Sequence, residues 1–262
     1  MIRERAVVTD REQLAEGIYG VRLKTGAAKD ARPGQFVMLN TGSEAHLLGR
    51  PISICEIDKD KEIIRLVWRV AGYGTEGFSR LDKGDEVSII GPLGNGFDIN
   101  EAASCENIAV MGGGIGAPPL LGLVRALSDA SCKNINVFLG YRTKASGLFL
   151  AEEFRKYASV YIATDDGSEG IHGTAMDALK ESGIKTDIIL ACGPMPMLRG
   201  IKHHAGENGI RAYISLEERM ACGVGACLGC VVKTKEVDRH SHVKNARICT
   251  EGPVFAAEDV DI

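Results

Sequence analysis

The chain has 262 residues, 45% of them hydrophobic and 25% charged, with a formal net charge of -4. This length accommodates two domains and a small appendage, and the acidic balance leaves no basic footprint for nucleic acid. There is no apolar run long enough to span a bilayer, so no membrane partner is expected; the start, Met1-Ile2-Arg3-Glu4-Arg5, turns polar at once, so the expectation is a cytoplasmic chain without a secretory leader.

The first stretch, residues 1–100, reads as β structure. Arg5–Val8, Ile18–Leu23, Gln35–Leu39, Ile52–Ile57, Ile63–Val70 and Glu86–Ile90 are strand-like runs. They are separated by the turns Arg32-Pro33-Gly34, Asp58-Lys59-Asp60 and Lys83-Gly84-Asp85. Short strands at this spacing predict a closed barrel or sandwich.

Residues 101–216 alternate strand and helix. Strands are predicted at Asn107–Met111, Ile135–Leu139, Val160–Thr164, Asp187–Ala191 and Ala212–Leu216, and helices at Ala117–Asp129, Phe149–Tyr157, Ala175–Glu181 and Pro196–Asn208. Such alternation implies a parallel sheet covered on both faces. Residues 217–262 are rich in glycine and cysteine and too few to build a core unaided, so a metal is expected to complete their fold.

Eight cysteines are present. In a reducing compartment, clustered thiols point to metal or redox chemistry rather than disulfides. Cys55, Cys105, Cys132 and Cys192 are scattered; Cys222, Cys227, Cys230 and Cys249 gather near the C-terminus. Their spacing, C-x4-C-x2-C followed by a longer gap and a fourth cysteine, is the plant-type [2Fe–2S] ligand pattern. Two tetrahedral irons need four thiolates around a flat rhomb; a tight loop supplies three and a later segment the fourth. Gly223, Gly225 and Gly229 allow close backbone approach, so that amides can point at the sulfurs. A structural zinc is the alternative, although zinc sites usually use two short cysteine pairs and only one C-x2-C is present here.

Val110-Met111-Gly112-Gly113-Gly114-Ile115-Gly116-Ala117-Pro118-Pro119 follows a predicted strand and opens a helix, where a nucleotide phosphate meets helix-terminal N–H groups. Gly112, Gly114 and Ala117 fit G-x-G-x-x-G/A. The next strand ends Leu139-Gly140-Tyr141-Arg142 with no acid for a ribose hydroxyl, so a simple tight turn stays open as the alternative. Asp165-Asp166 and Cys192-Gly193-Pro194-Met195 end two further strands, the position at which ligands of open α/β sheets converge.

In the β half, Arg50-Pro51-Ile52-Ser53 starts a strand. The arginine fork suits a pyrophosphate and Ser53 offers a hydroxyl; a surface arginine beside a strand is the plainer reading. Gly72-Tyr73-Gly74-Thr75-Glu76-Gly77 is a glycine segment suited to phosphate approach. Trp68-Arg69 ends the strand before it.

Arg50-Pro51-Ile52-Ser53, the glycine loops and Cys192-Gly193-Pro194-Met195, in this order, resemble the ferredoxin-reductase superfamily. The run Ser215-Leu216-Glu217-Glu218-Arg219-Met220-Ala221-Cys222 through Cys230, with Ile248-Cys249-Thr250-Glu251-Gly252-Pro253-Val254-Phe255, resembles more specifically the electron-transfer subunits of type B dihydroorotate dehydrogenases, over essentially the whole chain. The resemblance implies a multi-domain α+β fold with three parts. These are an N-terminal Greek-key β-barrel for FAD (1–100), an α/β parallel-sheet domain for NAD+ (101–216) and a small C-terminal [2Fe–2S] domain (217–262).

It implies FAD binding by Arg50, Pro51, Ile52, Ser53, Val67, Trp68, Arg69, Gly74 and Thr75, and a cluster on Cys222, Cys227, Cys230 and Cys249. The nucleotide would be shaped by Gly112, Gly113, Gly114, Ile115, Gly116, Ala117, Asp165, Asp166, Cys192, Gly193, Pro194 and Met195. It further implies an FMN-containing dihydroorotate dehydrogenase catalytic subunit as partner, in a heterotetramer of two of each, serving pyrimidine biosynthesis. No acid–base residue is expected on this chain; the base acting on dihydroorotate is expected on the partner. Two rival expectations are a reductase of the same superfamily with another partner, and a zinc-stabilised binding module.

Overall fold

Alternation of inward apolar and outward polar side chains closes the N-terminal strands on themselves. The computed structural model describes residues 1–41, 48–237 and 242–262. Strands β1 (Ile2–Ala15), β2 (Ile18–Lys24), β3 (Phe36–Asn40), β4 (Arg50–Asp58), β5 (Ile63–Arg69) and β6 (Glu86–Leu93) form a closed barrel in the order β1-β2-β5-β4-β3-β6. All of its pairings are antiparallel. The pairs Val21 and Leu23, Val37 and Leu39, Ile52 and Ile54, Ile64 and Leu66, and Val87 and Ile89 fill its interior. A short helix, α1 (Tyr73–Phe78), lies between β5 and β6. Strand β1 is longer than the predicted Arg5–Val8 because it serves two partners, β6 from Ile2 to Val7 and β2 from Val7 to Ala15.

The second unit comprises α2 (Ile99–Ala103), β7 (Asn107–Gly113), α3 (Pro118–Asp129), β8 (Asn134–Tyr141), α4 (Ala151–Arg155), β9 (Ser159–Thr164), β10 (Ile171–His172), α5 (Ala175–Ser182), β11 (Ile188–Cys192), α6 (Met195–Asn208) and β12 (Arg211–Ser215). The strands from β10 to β12 lie parallel in the order β10-β9-β8-β7-β11-β12. The strand order therefore reverses between β7 and β11, which creates a crevice at their carboxyl ends. Helix α4 is shorter than the predicted Phe149–Tyr157, because Leu148–Leu150 forms a separate 3-10 turn.

The last stretch holds a hairpin, β13 (Val231–Lys233) with β14 (Asn245–Arg247), and β15 (Val254–Ala256). Strand β15 pairs antiparallel with β12 and extends the nucleotide sheet to seven strands. The cysteine-rich segment thus returns to the α/β unit, a pairing that no local pattern in three residues announces.

Barrel and sheet share a core. The outward-facing Ile18, Cys55 and Val67 pack with Leu120, Leu121 and Val124 of α3. At Gly122 the helix approaches so closely that a Cβ there would sit 2.7 Å from the Cys55 carbonyl oxygen. Beside this contact Arg65, 1% exposed, donates to Glu12 (2.6 Å) and Glu56 (2.8 Å) of the barrel and to Glu153 (2.8 Å) of α4. Burial works against the Arg65 charge, but its hydrogen bonds to the three glutamates outweigh that, and its pKa is raised. Removing one member of a buried ionic group strands the others. Arg65→Ala is expected to destabilise the chain by about 3 kcal/mol, read from the denaturation midpoint, whereas Arg5→Ala, whose pair with Glu86 is exposed, is expected to move it little.

Candidate functional site

The hairpin β13–β14 brings the distant fourth cysteine to the other three. It begins directly after Cys230 and ends just before Cys249, and Ile248 N–H donates to the Cys230 carbonyl at 2.8 Å. Gly223 and Gly225 take φ values of +69° and +81°, which side chains disfavour, and so turn the loop sharply. Amides then face sulfur: Val224 and Cys227 N–H donate to Cys222 Sγ at 3.5 and 3.4 Å, and Gly225 N–H to Cys249 Sγ at 3.2 Å. Burial pushes the Cys222 thiol up, but these amides and the Cys227 side chain bring it down to about 7. Burial and the neighbouring Cys230 push Cys249 up to about 12. The four thiols thus act on one another, Cys227 on Cys222 and both Cys230 and Cys222 on Cys249. Among the described residues, no three histidine, cysteine, aspartate or glutamate side chains converge on a single-ion site. The C-x4-C-x2-C loop with a distant fourth cysteine suits two irons sharing bridging sulfides, whereas zinc sites usually use two short cysteine pairs. Cys230 and Cys249 are buried while Cys227 is exposed.

The cysteine loop lies against the barrel. A Cβ at Gly223 would sit 2.5 Å from Met38 Cγ of β3. A cavity of about 300 Å³ between them is lined by Met38, Asn40, Leu48 and Cys222, among others. Asn40 and Leu48 also line the adjoining groove that holds Arg50, Gly74, Gly77 and Phe78. Cys222 thus connects, through the shared walls Asn40 and Leu48, to the Arg50 groove.

In that groove the Arg50 guanidinium lies over Gly74, where a Cβ would meet Nε at 2.6 Å. Thr75 organises the entry to α1: its Oγ1 accepts from Ala71 N–H at 2.8 Å and donates to the Gly72 carbonyl at 3.0 Å. Arg50, Pro51 and Ser53 are part-exposed, whereas Ile52 points into the barrel core. Trp68 is also inside the barrel, stacked on Tyr19 and edge-on to Phe78, and its indole N–H holds the Thr75 carbonyl at 3.1 Å. Its ring braces the glycine segment rather than lining the groove. Val67 is buried against the α/β unit and Arg69 is exposed.

Gly112–Ala117 and Cys192–Met195 meet at the strand-order reversal, with Gly112 and Cys192 in register on β7 and β11. A Cβ at Gly116 would lie 2.6 Å from the Cys192 carbonyl oxygen, and one at Gly113 would lie 2.6 Å from Pro194 Cδ. The glycines therefore allow the two loops to close on each other. Ile115 is part-exposed at the turn. The Cys192 thiol is buried and pushed up by burial. Asp165 and Asp166 end β9, two strands from β7, and do not join this contact; Asp166 accepts from Ser168 N–H and Oγ at 3.0 and 2.5 Å.

One residue outside the sequence expectations stands at the same crevice. Glu217, two residues beyond β12, is exposed as a residue, yet the protein around its carboxyl raises the pKa, and Arg69 at the end of β5 pulls it down. Its charge also acts on Cys192. An acid just past the end of a parallel strand was the available signal. A separate cavity of about 590 Å³, lined by Asn107, Asn134, Asn136 and Arg155 among others, lies at the amino ends of β7, β8 and β9 and includes no predicted site residue.

Residues 217–261 match the family model of the iron-sulfur cluster binding domain of dihydroorotate dehydrogenase B. The chain is 38% identical over 265 residues to the dihydroorotate dehydrogenase B (NAD(+)) electron transfer subunit of Fusobacterium nucleatum, covering 99% of this chain and 98% of that one. The chain belongs to the family of dihydroorotate dehydrogenase B electron transfer subunits. The subunit of the same description from Enterococcus faecalis is 41% identical over 262 residues, 98% of each chain. A solved structure of NADH-dependent reduced ferredoxin-NADP oxidoreductase, described for flavin-based electron bifurcation, superposes with a TM-score of 0.85 at 28% identity, covering 98% of this chain and 89% of that one. Membership in this family makes the chain a redox protein with a ferredoxin-reductase-like fold. No helix among the described residues is long and apolar enough to cross a membrane.

Two outcomes test the geometry. Cys227→Ser is expected to lose iron while retaining flavin, measured by metal analysis and flavin release; lost flavin with retained iron overturns the assignment of the two cofactors to separate parts of the chain. Arg50→Ala is expected to weaken FAD binding about tenfold to a hundredfold, the value of lost charge-assisted hydrogen bonds, with iron content unchanged.

Proposed function

We propose that this chain passes electrons from an FMN-containing dihydroorotate dehydrogenase catalytic subunit to NAD+, in an assembly of two subunits of each kind. The observation that carries this reading is the cysteine quartet, whose Cys222 lines a cavity that shares Asn40 and Leu48 with the Arg50 groove. When bound, a [2Fe–2S] cluster supplies one-electron traffic and FAD exchanges that traffic for hydride chemistry at nicotinamide.

The chain's own residues bind, orient and insulate. Cys222, Cys227, Cys230 and Cys249 hold the cluster, and the amides of Val224, Gly225 and Cys227 donate to its thiolates, which favours the more negative reduced form. Arg50 presents a fork to the FAD pyrophosphate, Gly74 leaves room for that fork, and Ser53 presents its hydroxyl at the start of β4. Pro51 and Ile52 fix that strand; Val67, Trp68 and Arg69 form the neighbouring one, with Trp68 bracing Thr75 from inside the barrel. Gly112–Ala117 and Cys192–Met195 form the crevice for NAD+ at the strand-order reversal, with Asp165 and Asp166 at the outer end of the same sheet edge. The labour divides as residues 1–100 for flavin, 101–216 for nicotinamide nucleotide and 217–262 for the cluster. None of these roles requires a side-chain acid or base; that function belongs to the dihydroorotate-oxidising partner.

The test is an anaerobic assay of this chain co-purified with its FMN partner, following dihydroorotate-dependent NADH formation, with the partner alone as control. NADH is expected only when both are present. A complex that oxidises NADH with artificial acceptors yet ignores dihydroorotate would replace the partner while leaving the cofactor chain intact.

A further inference from the structure

Thr250 follows the fourth cysteine directly, and its hydroxyl oxygen is fully buried with no hydrogen-bond partner. It is one of two such side-chain atoms among the described residues, the other being Tyr141 Oη. A buried hydroxyl left unpaired is costly, and in a native structure it calls for an explanation, such as a group bound there.

Its neighbours show where that group lies. Thr250 packs on the turn of the cysteine loop: a Cβ at Gly225 would sit 2.9 Å from Thr250 Cγ2 and 3.4 Å from Oγ1. Gly225 itself donates its N–H to Cys249 Sγ at 3.2 Å. On the other side, the Glu251 carboxylate is engaged by Arg247, through the backbone N–H at 2.5 Å and Nε at 3.0 Å. Burial pushes that carboxyl up and Arg247 more than reverses it; Thr250 adds a downward push on Glu251 without meeting hydrogen-bond geometry. The Thr250 backbone is fixed as well, since its carbonyl accepts from Asn95 Nδ2 at 3.3 Å and its N–H donates to the Arg247 carbonyl at 3.1 Å. A donor held rigidly beside Gly225 and Cys249, making no hydrogen bond and with the neighbouring Glu251 carboxylate already engaged by Arg247, fits a sulfur acceptor on the Cys249 side of the cluster.

We propose that the Thr250 hydroxyl donates a hydrogen bond to the sulfur of the bound [2Fe–2S] centre on its Cys249 side and thereby raises its reduction potential. A donor to cluster sulfur stabilises the extra negative charge of the reduced form. Thr250 is a tuning residue: it ligates no iron and touches no substrate. The inference rests on the cysteine quartet binding [2Fe–2S]. Iron and sulfide analysis of the unaltered chain tests that reading first, so its failure is distinct from failure of the Thr250 role.

The test is potentiometric titration of the cluster, followed by electron paramagnetic resonance, in the complex with the FMN partner. Wild type is compared with Thr250→Val and Thr250→Ser, with the FAD midpoint as an internal reference. T250V is expected to keep its iron and flavin and to shift the cluster midpoint downward, while T250S stays at the wild-type value and the FAD midpoint is unmoved in both. An unshifted midpoint in iron-loaded T250V overturns the proposal. An equal downward shift in T250S also overturns it, because packing of the methyl group on Gly225 would then be the cause. If T250V loses iron, Thr250→Ala is titrated in its place under the same criteria. Iron loss in both hydroxyl-free variants with full retention in T250S supports the hydroxyl's role, and iron loss in T250S overturns it.

Discussion

The cysteine segment has no core of its own; it packs into the core of barrel and sheet and is tied to the barrel by hydrogen bonds to its main chain. Asn95 makes the knot. Its N–H donates to the Gly252 carbonyl at 2.6 Å, and its side-chain amide reaches the Thr250 and Glu251 carbonyls at 3.3 and 2.9 Å. The preceding Gly94, at φ +72°, admits this approach, because a Cβ there would lie 2.6 Å from the Gly252 oxygen. One residue further, Leu216 N–H donates to the Pro253 carbonyl at 2.9 Å. Barrel, sheet and cysteine segment are thereby joined within a few residues of Cys249, which places the thiols beside Met38 and the groove of Arg50. Electron transfer needs such a short and fixed separation, and hydrogen bonds between backbones supply it with less freedom than side-chain contacts would.

The two large units are held by a different kind of force. Their shared core is apolar, with α3 seated on the outside of β4 at Gly122. Within it Arg65 gathers glutamates from both sides. An apolar interface alone permits sliding, whereas a buried guanidinium with three carboxylate partners accepts one arrangement. The crevice between β7 and β11 therefore faces the barrel in a defined way, and the charge of Arg69 from one unit acts on Glu217 just beyond the other.

What the sequence disclosed and what it withheld divide along local and non-local lines. The C-x4-C-x2-C spacing, the glycines at 112–116 and 223–225, and the period-two strands of the barrel are local, and each marks its element within a few residues. The pairing of β15 with β12, the reach of Asn95 to Thr250 and Glu251, and the Arg65 cluster join residues far apart in the chain, and no short window contains them. Trp68 shows the same limit on a smaller scale. The resemblance set it among the flavin residues, but strand alternation sends its ring inward to Tyr19 and Phe78. Glu217 lay inside a motif noted for its cysteines, and only the folded chain sets it beside Cys192 and Arg69.

The return of β15 to the sheet has a consequence beyond placing the thiols. Without it, β12 would present a five-residue margin of unpaired main-chain donors and acceptors, a template on which another chain can add a strand. With it, the two margins of the sheet are the two residues of β10 and the three of β15, and the barrel, being closed, has none. The same few residues that carry the chain back from the cysteine loop thus also guard it against edge-to-edge aggregation.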